Sequence, residues 1–415
     1  MKLEAPVWRH DSVATGPTLI GMLSHETEQQ RWQFVFDSDY LKVDNALELD
    51  PHWCRRLSRS PLKHDGASPP GAFADVALSG WTFDMARRAL PEHRQWTWWD
   101  RLVLAPDDGF GALSVGDPAS KPNLKSAFIL EAVQQTPELL RSLSNDSSSG
   151  AFGGERPKIA IQADGREWLL KFPAPGDPVD IAIAEATALT LAMQCGLNVP
   201  SHYVVQLGVD TLPALLIERF DRNMGSRIQA VSAATALGLG INTDVDSPKR
   251  SYRHLRSVLR EPNDAIELFK RIVFNAVVHN GDDHPWNQSL IQIGRGRWAL
   301  SPLYDVTPFV QAQHPCVHRM DLISAPYARV PRGQSQAAPL RRISDMKTLG
   351  IAGDQIARLS TQECRAIIEQ ISTHVVENWQ KVFADHASKK QEGAGLIQGA
   401  NRWAKSFEGF AHLLA

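Results

Sequence analysis

The apolar positions change their rhythm along the chain. In the first 60 residues they come in short alternating bursts, TLIGML and WQFVFD, which predict β-strands. The Pro- and Gly-rich segment 61–78 predicts a loop entering a helix. WTFDMARRALPEHRQWTWWDRLVLA (81–105) reads as helix, break, helix. After a second break at 106–122, LKSAFILEAVQQTPELLRSL (124–143) has helical periodicity.

Segment 144–158 (SNDSSSGAFGGERPK) is rich in Ser and Gly and predicts the most flexible stretch. Two strand-like bursts follow, KIAIQA and EWLLKFP, joined at Asp164-Gly165. An Asp-Gly pair accepts the positive φ angles that two-residue hairpin turns require, so the spacing predicts a hairpin. VDIAIAEATALTLAMQCGL (179–197) predicts a helix with Gly196 at its C-terminal cap. HYVVQLG and ALLIERF predict strands, and IQAVSAATALGL, SYRHLRSVLR and PNDAIELFKRIVFNAVVHN predict helices. The second half thus reads as a β-rich lobe, about 150–220, before a helical lobe, about 226–415. Residues 310–345 show no regular pattern. Met193 and Cys195 are expected in the core, and Arg341 and Arg342 on a solvated face.

Composition narrows the class. A chain of 415 residues with 43% hydrophobic and 22% charged positions is globular and long enough for two or three domains. A net charge of −2 argues against a protein that coats nucleic acid through bulk positive charge. Cys54, Cys195, Cys316 and Cys364 are scattered, which predicts reduced thiols rather than a zinc site. No window approaches the ~18 apolar residues of a membrane span, and the N-terminus lacks the apolar stretch of a signal peptide. A cytoplasmic location without membrane attachment is the expectation.

Candidate chemistry concentrates in HNGDDHPWNQSLIQ (279–292), where a long amphipathic helix ends in a polar cluster. Asp282 and Asn287 are five apart, and Asp305 follows a hairpin. That order matches the catalytic-loop Asp, metal-binding Asn and second metal-binding Asp of protein kinases. An Asp can deprotonate a hydroxyl, and Asn and Asp oxygens suit Mg²⁺ bridging phosphates. Upstream, Gly153 and Gly154 precede Lys158, and Lys171 lies inside an apolar strand where its charge needs a phosphate or carboxylate. Glu185 on the next helix could supply the ion pair. The strand holding Glu218, Arg219 and Phe220 could act as an adenine-binding linker. Asp283 is expected to be a solvated neighbour rather than a second base.

Several segments together resemble the HipA-like kinases, the toxin halves of bacterial HipA–HipB modules. They are GGERPK (153–158), LLKFP (169–173), AEATALTLAMQCGLNVP (184–200), LLIERFDR (215–222), FNAVVHNGDDHPWNQSL (274–290) and LSPLYDVTP (300–308). The N-terminal third is similar more loosely, through GMLSHETEQQRWQFVFDSDYL and GFGALSVGD. The resemblance implies an α+β, bilobal protein-kinase-like fold with an extra N-terminal α/β subdomain. Its boundaries would be 1–122 for the subdomain, 123–225 for the β-rich lobe and 226–415 for the helical lobe.

It also implies an ATP- and Mg²⁺-dependent serine/threonine kinase with Asp282 as catalytic base and Asn287 and Asp305 on the metal. Lys171 would contact the phosphates, and Glu218 to Phe220 would form the linker. His284 and Tyr304 would flank the nucleotide, and Ser149 would be the autophosphorylation candidate. The implied partners are a Ser- or Thr-bearing protein, possible targets being in the translation machinery, and a small helix-turn-helix antitoxin through which DNA is contacted. The family often carries Lys before the metal-binding Asn, whereas this chain has Trp286. That departure motivates an alternative: a catalytically weak, nucleotide-binding corepressor acting through its DNA-binding partner. A two-metal hydrolase built on Asp282, Asp283, His284 and Asp305 is a third reading, and it leaves Lys171 unexplained.

Overall fold

The computed structural model describes residues 1–11, 16–93, 95–122, 124, 147–148, 156–174, 176–178, 180–206, 212–240, 247–310, 314–323, 340–388 and 403–410. The helix expected at 124–143, apart from Leu124, lies outside them, as do Ser149, Gly153 and Gly154. The chain forms two compact units. The first comprises Met1–Asp177, Val205–Thr243 and Leu290–Trp298; the second comprises Pro178–Val204, Asp244–Ser289 and Ala299–Ala415.

The first unit begins with β1 (Lys2–Arg9), β2 (Thr18–Glu26), β3 (Arg31–Phe36), β4 (Leu62–Asp65) and β5 (Leu113–Val115). They form a sheet ordered β4–β3–β2–β1–β5. Period-two alternation fixes its face: β3 buries Trp32, Phe34 and Phe36 and turns Arg31, Gln33 and Val35 outward. Three short helices follow β4, α1 (Ala72–Val76), α2 (Gly80–Ala89) and α3 (Trp98–Val103). Thr97 and Asp100 cap α3 reciprocally, satisfying otherwise orphaned N–H groups.

A second sheet in this unit places β6 (Ser147–Ser148), β7 (Lys158–Ala163), β8 (Arg166–Lys171) and β10 (Ala214–Glu218) side by side. β9 (His202–Val205) runs across the boundary between the units. The turn between β7 and β8 is the expected two-residue hairpin, with Asp164 at φ 52° and Gly165 at φ 71°. Ile159, Leu170 and Phe172 pack with Leu78, Trp81 and Met85 of the α2 region. Each such side chain contributes roughly 1.5–3 kcal/mol on burial. β11 (Arg222–Asn223) and β12 (Ser226–Arg227) form a small hairpin.

The helix expected over 228–239 is corrected by the structure. Ala230–Ser232 is strand β13, and only Ala233–Ala236 is helical (α5). β13 pairs in the sheet β13–β14–β15 with β14 (Ser289–Gly294), whose hairpin partner is β15 (Arg297–Leu300). Val favours strands and Ala favours helices, so the local preference of this segment is divided and pairing with a distant strand decides it.

The second unit is helical, with α4 (Ile181–Gln194), α6 (Tyr252–Val258), α7 (Asp264–Val277), α8 (Met346–Ala357) and α9 (Thr361–Ser388). α4 ends as expected: Gly196 takes φ 76°, Leu197 N–H reaches Ala192 O at 3.0 Å and Gly196 N–H reaches Met193 O at 2.9 Å. Cys195 is buried, but Met193 is exposed. The two residues are two apart, which puts them on opposite helix faces. All four cysteines are free thiols. Among the described residues, no helix is long and apolar enough to cross a membrane.

Candidate active site

The candidate residues are divided between the two units. In the first unit, the register of β7 against β8 sets Lys158 directly opposite Lys171. Cross-strand partners share one face of a sheet, so the two ammonium groups emerge together. Both are buried, at 9% and 7% exposure. Two like charges in a desolvated place are costly without a nearby anion. The approach to β7 is pinned by a fork from Arg156 to Asp177, 2.7 and 3.0 Å, and by Ala174 N–H to Asp177 at 2.8 Å. Burial alone would raise the Asp177 pKa, but these bonds hold it below the usual carboxylate range.

At the end of β10, Glu218 pairs with Arg166 at 3.1 Å and Phe220 meets the edge of Phe110. Arg219 turns inward instead. Its guanidinium binds both oxygens of Asp221, at 3.0 and 2.9 Å, the carbonyl of Gly109 and Asp108. Arg222 bonds Asp221, Asp108 and Glu167 in the same buried network. Burial by itself would push the Asp221 pKa up, yet Arg219 and Arg222 hold it well below normal. The backbone N–H of Arg219 is also committed, to Glu167 O at 2.9 Å. The Arg219 side chain is therefore structural.

The second unit organises the polar loop after α7. That helix ends on His279 at φ 54°, with Asn280 N–H bonded to Asn275 O at 2.8 Å. A left-handed residue at this cap is usually Gly, so His279 carries strain of about 1 kcal/mol or more. Burial, with His314 and His318 beside it, lowers the His279 pKa to about 4. The loop then folds around the carbonyl of Asp282, which accepts from His284 N–H at 2.8 Å and Asn287 Nδ2 at 2.9 Å. The Asp282 carboxylate is half-exposed, 48%, with Arg319 Nε at 3.5 Å and His284 Nε2 at 3.9 Å.

Tyr304 ties the next segment to this loop. Its hydroxyl meets Ser289 Oγ at 2.5 Å and donates to Trp286 O at 3.0 Å. Asp305 follows directly, at φ 55°, like His279 a non-glycine residue in the left-handed region. Glu185 lies buried on α4.

Asp283 corrects the expectation of a solvated neighbour. It is fully buried, at 0% exposure. Its carboxylate accepts from Tyr252 Oη at 2.5 Å, His318 Nδ1 at 2.5 Å and Arg319 N–H at 2.8 Å. Those commitments leave it no role in a two-metal site, and no group of three His, Cys, Asp or Glu among the described residues could hold a metal. Arg341 and Arg342 are likewise not a solvated face: both bind Asp321, at 2.6 and 2.7 Å. The described parts of 310–345 are ordered by a short ladder. His318 N–H bonds Arg342 O, Leu322 N–H bonds Arg341 O and Ser344 N–H bonds Cys316 O.

Sequence reasoning missed Tyr252, His318 and Arg319, whose partners lie 31 to 37 residues away in the chain. The one local signal is the polar HRMD run at 318–321 in an otherwise patternless segment.

Residues 150–379, more than half of the chain, match the profile of the HipA-like C-terminal domain. The candidate kinase Y4dM of Sinorhizobium fredii is 30% identical over 191 residues, 41% of this chain and 44% of that protein. The chain thus matches less than half the length of that relative. The HipA chain of a Shewanella oneidensis MR-1 HipA–HipB–operator DNA complex superposes with TM-score 0.67 at 16% identity, covering 98% of this chain and 97% of that one. At that identity the likeness establishes a shared α+β fold.

Proposed function

Because this chain belongs to the family defined by the HipA-like C-terminal domain, we propose that it is an ATP- and Mg²⁺-dependent serine/threonine protein kinase. The observation that carries the reading is the Asp282 loop. Its backbone is locked by Asn287 and its flank by Tyr304, while its carboxylate stays open to solvent. A general base must be rigidly held yet reachable by the acceptor hydroxyl.

In the proposed reaction, an acceptor Ser or Thr oxygen bonds to the γ-phosphorus of ATP. The bond from that phosphorus to the β,γ-bridging oxygen breaks, ADP leaves, and the hydroxyl proton passes to Asp282. Lys158 and Lys171 would neutralise the phosphates. Glu185 would supply the carboxylate partner for Lys171, and the carbonyls of Glu218 to Phe220 would meet the adenine.

Mg²⁺ would be held by Asn287 and Asp305 and would supply charge neutralisation across the phosphates. The donor set fits: Asn287 Nδ2 is engaged with Asp282 O, which leaves its Oδ1, a hard oxygen ligand, for the metal. The partner is proposed to be a small HipB-like antitoxin, since the solved HipA relative is in complex with HipB and operator DNA. Ser149, Gly153 and Gly154 remain proposals from sequence.

Incubation of the protein with γ-labelled ATP and Mg²⁺ in a cell lysate tests the reading. The expected result is label in acid-stable phosphoserine or phosphothreonine of a discrete protein. ATP binding without any transfer would instead favour the corepressor, and Trp286, in the place where the family often has Lys, is the residue that keeps that reading in view.

A further inference from the structure

Residues 403–410 form a short helical segment of the second unit. Trp403, Ser406, Phe407 and Phe410 are spaced i, i+3, i+4, i+7, which puts them on one helix face. Each is at most 1% exposed.

That face has two anchors. The first is α9: Trp379 stacks on Phe407 with ring centroids 5.3 Å apart, and its Nε1 donates to Glu408 at 2.9 Å. The second is the pair Phe309 and His314. Ser406 Oγ donates to the carbonyl of Phe309, and His314 Nε2 donates to the carbonyl of Lys405 at 3.1 Å. The His314 ring also meets the edge of Phe410, with centroids 6.4 Å apart. The fit is close: a Cβ added at Gly409 would lie 2.4 Å from the His314 ring.

Phe309 and His314 in turn pack on the start of the Asp282 loop. Both rings meet the ring of His279, His314 at 4.8 Å and Phe309 at 6.2 Å between centroids. A Cβ added at Gly281, next to Asp282, would come within 3.2 Å of Val317 O and 4.0 Å of the Phe309 ring. His279 holds φ 54° without being glycine. Such a conformation persists only where the surroundings over-determine it, and these two rings are part of that surrounding.

We propose that residues 403–410 are a strap that positions the Asp282 loop, acting through Phe309, His314 and His279. Its effect on rate rests on the kinase reading above, whereas its hold on the loop rests on geometry alone. Seated, the strap keeps His279 in its left-handed cap and fixes the course of the backbone into Asp282. Released, the cap relaxes and the carboxylate loses its alignment. Misplacing a reacting group by about 1 Å costs about a hundredfold in rate, so the strap controls transfer through position.

The test uses the full chain and three variants. Phe410→Ala removes the contact with His314. Ser406→Ala removes only the bond to Phe309, and it serves if Phe410→Ala does not fold. Gly353→Val crowds Cys364 and Phe269 instead, and shows what lost stability alone does. Hydrogen exchange of the amides of 279–288 is followed by mass spectrometry at a temperature where every protein is folded. Asn280 N–H is bonded to Asn275 O, so slow exchange is expected in wild type. Exchange across 279–288 should be at least tenfold faster in Phe410→Ala and at least threefold faster in Ser406→Ala. It should be unchanged in Gly353→Val. In phosphoryl transfer, Phe410→Ala should lose at least tenfold in kcat with the KM for ATP within twofold, and Gly353→Val should keep its kcat.

A wild type that transfers no phosphate would defeat the kinase reading, and exchange alone would then decide the strap. The inference is overturned by loop exchange in both strap variants no faster than in wild type, by an equal increase in Gly353→Val, or by an undiminished kcat in Phe410→Ala.

Discussion

Asp282 and Asp283 are adjacent acids with opposite predicted phenotypes. Replacing Asp283 with Ala leaves three buried donors, Tyr252 Oη, His318 Nδ1 and Arg319 N–H, without their acceptor. Each such loss costs about 1–3 kcal/mol, and the losses overlap because the donors share one carboxylate. A total of about 3–5 kcal/mol is expected, comparable to breaking a buried ionic cluster. For a body of this size that corresponds to a Tm loss on the order of 10 °C. Burial and the Asp283 charge raise the Tyr252 pKa well above normal, so the phenol remains a donor throughout the useful pH range. Tyr252→Phe removes one donor together with its bond and should cost only about 1 kcal/mol.

Asp282→Ala, by contrast, trims a half-exposed side chain and should change stability by less than about 0.5 kcal/mol. Urea unfolding of the four proteins, followed by tryptophan fluorescence, reads these differences directly. If Asp283→Ala unfolds within about 1 kcal/mol of wild type, or Asp282→Ala is the less stable of the two, the assignment of a structural and a reactive acid is wrong.

Three further outcomes follow from the same geometry. Lys171→Met should raise the ATP Kd at least tenfold, because Lys171 is proposed to neutralise the phosphates; equilibrium dialysis checks this. His279, neutral in the fold with a pKa of about 4, makes the unfolded chain bind more protons between about pH 4 and 6.5, so stability falls as pH drops through that window. Asp75 acts in the opposite sense: burial raises its pKa to about 6, so its contribution is lost as pH rises from about 4 to 6. His279→Asn should therefore flatten the acid limb of the stability profile, and Asp75→Asn should steepen it. Finally, Gly353 lies where an added Cβ would collide with Cys364 Sγ and crowd Phe269, so Gly353→Val should lower Tm by several degrees while leaving nucleotide binding intact.

The parts of this fold that were legible in sequence are those with local causes. Asp164-Gly165 specifies its turn by φ preference alone, and Gly196 specifies the end of α4 for the same reason. The family was readable because the order of Lys171, Glu185, Asp282, Asn287 and Asp305 combines residue type with spacing, and the HipA-like profile over 150–379 bears the family out; the roles of those residues are proposals. What escaped was decided over distance. Ala230–Ser232 became a strand because β14 pairs with it, and nothing within that segment announces the partner. Asp282 and Asp283 are indistinguishable in a list of residues; which one turns inward is set by Tyr252 and His318. Arg341 and Arg342 read as solvent-facing because their counterion, Asp321, is twenty residues upstream. Met193 was misplaced for a simpler reason, since two positions along a helix is half a turn of the wheel.

Phosphoryl transfer with Asp282 as base is open to direct measurement. Its most direct measurement is γ-phosphate transfer from labelled ATP in the presence of Mg²⁺, with wild type and Asp282→Ala compared at equal melting temperature. Label on protein is expected with wild type, with a drop of at least a hundredfold in Asp282→Ala and ATP affinity within a few-fold between the two. Undiminished transfer by Asp282→Ala would contradict it.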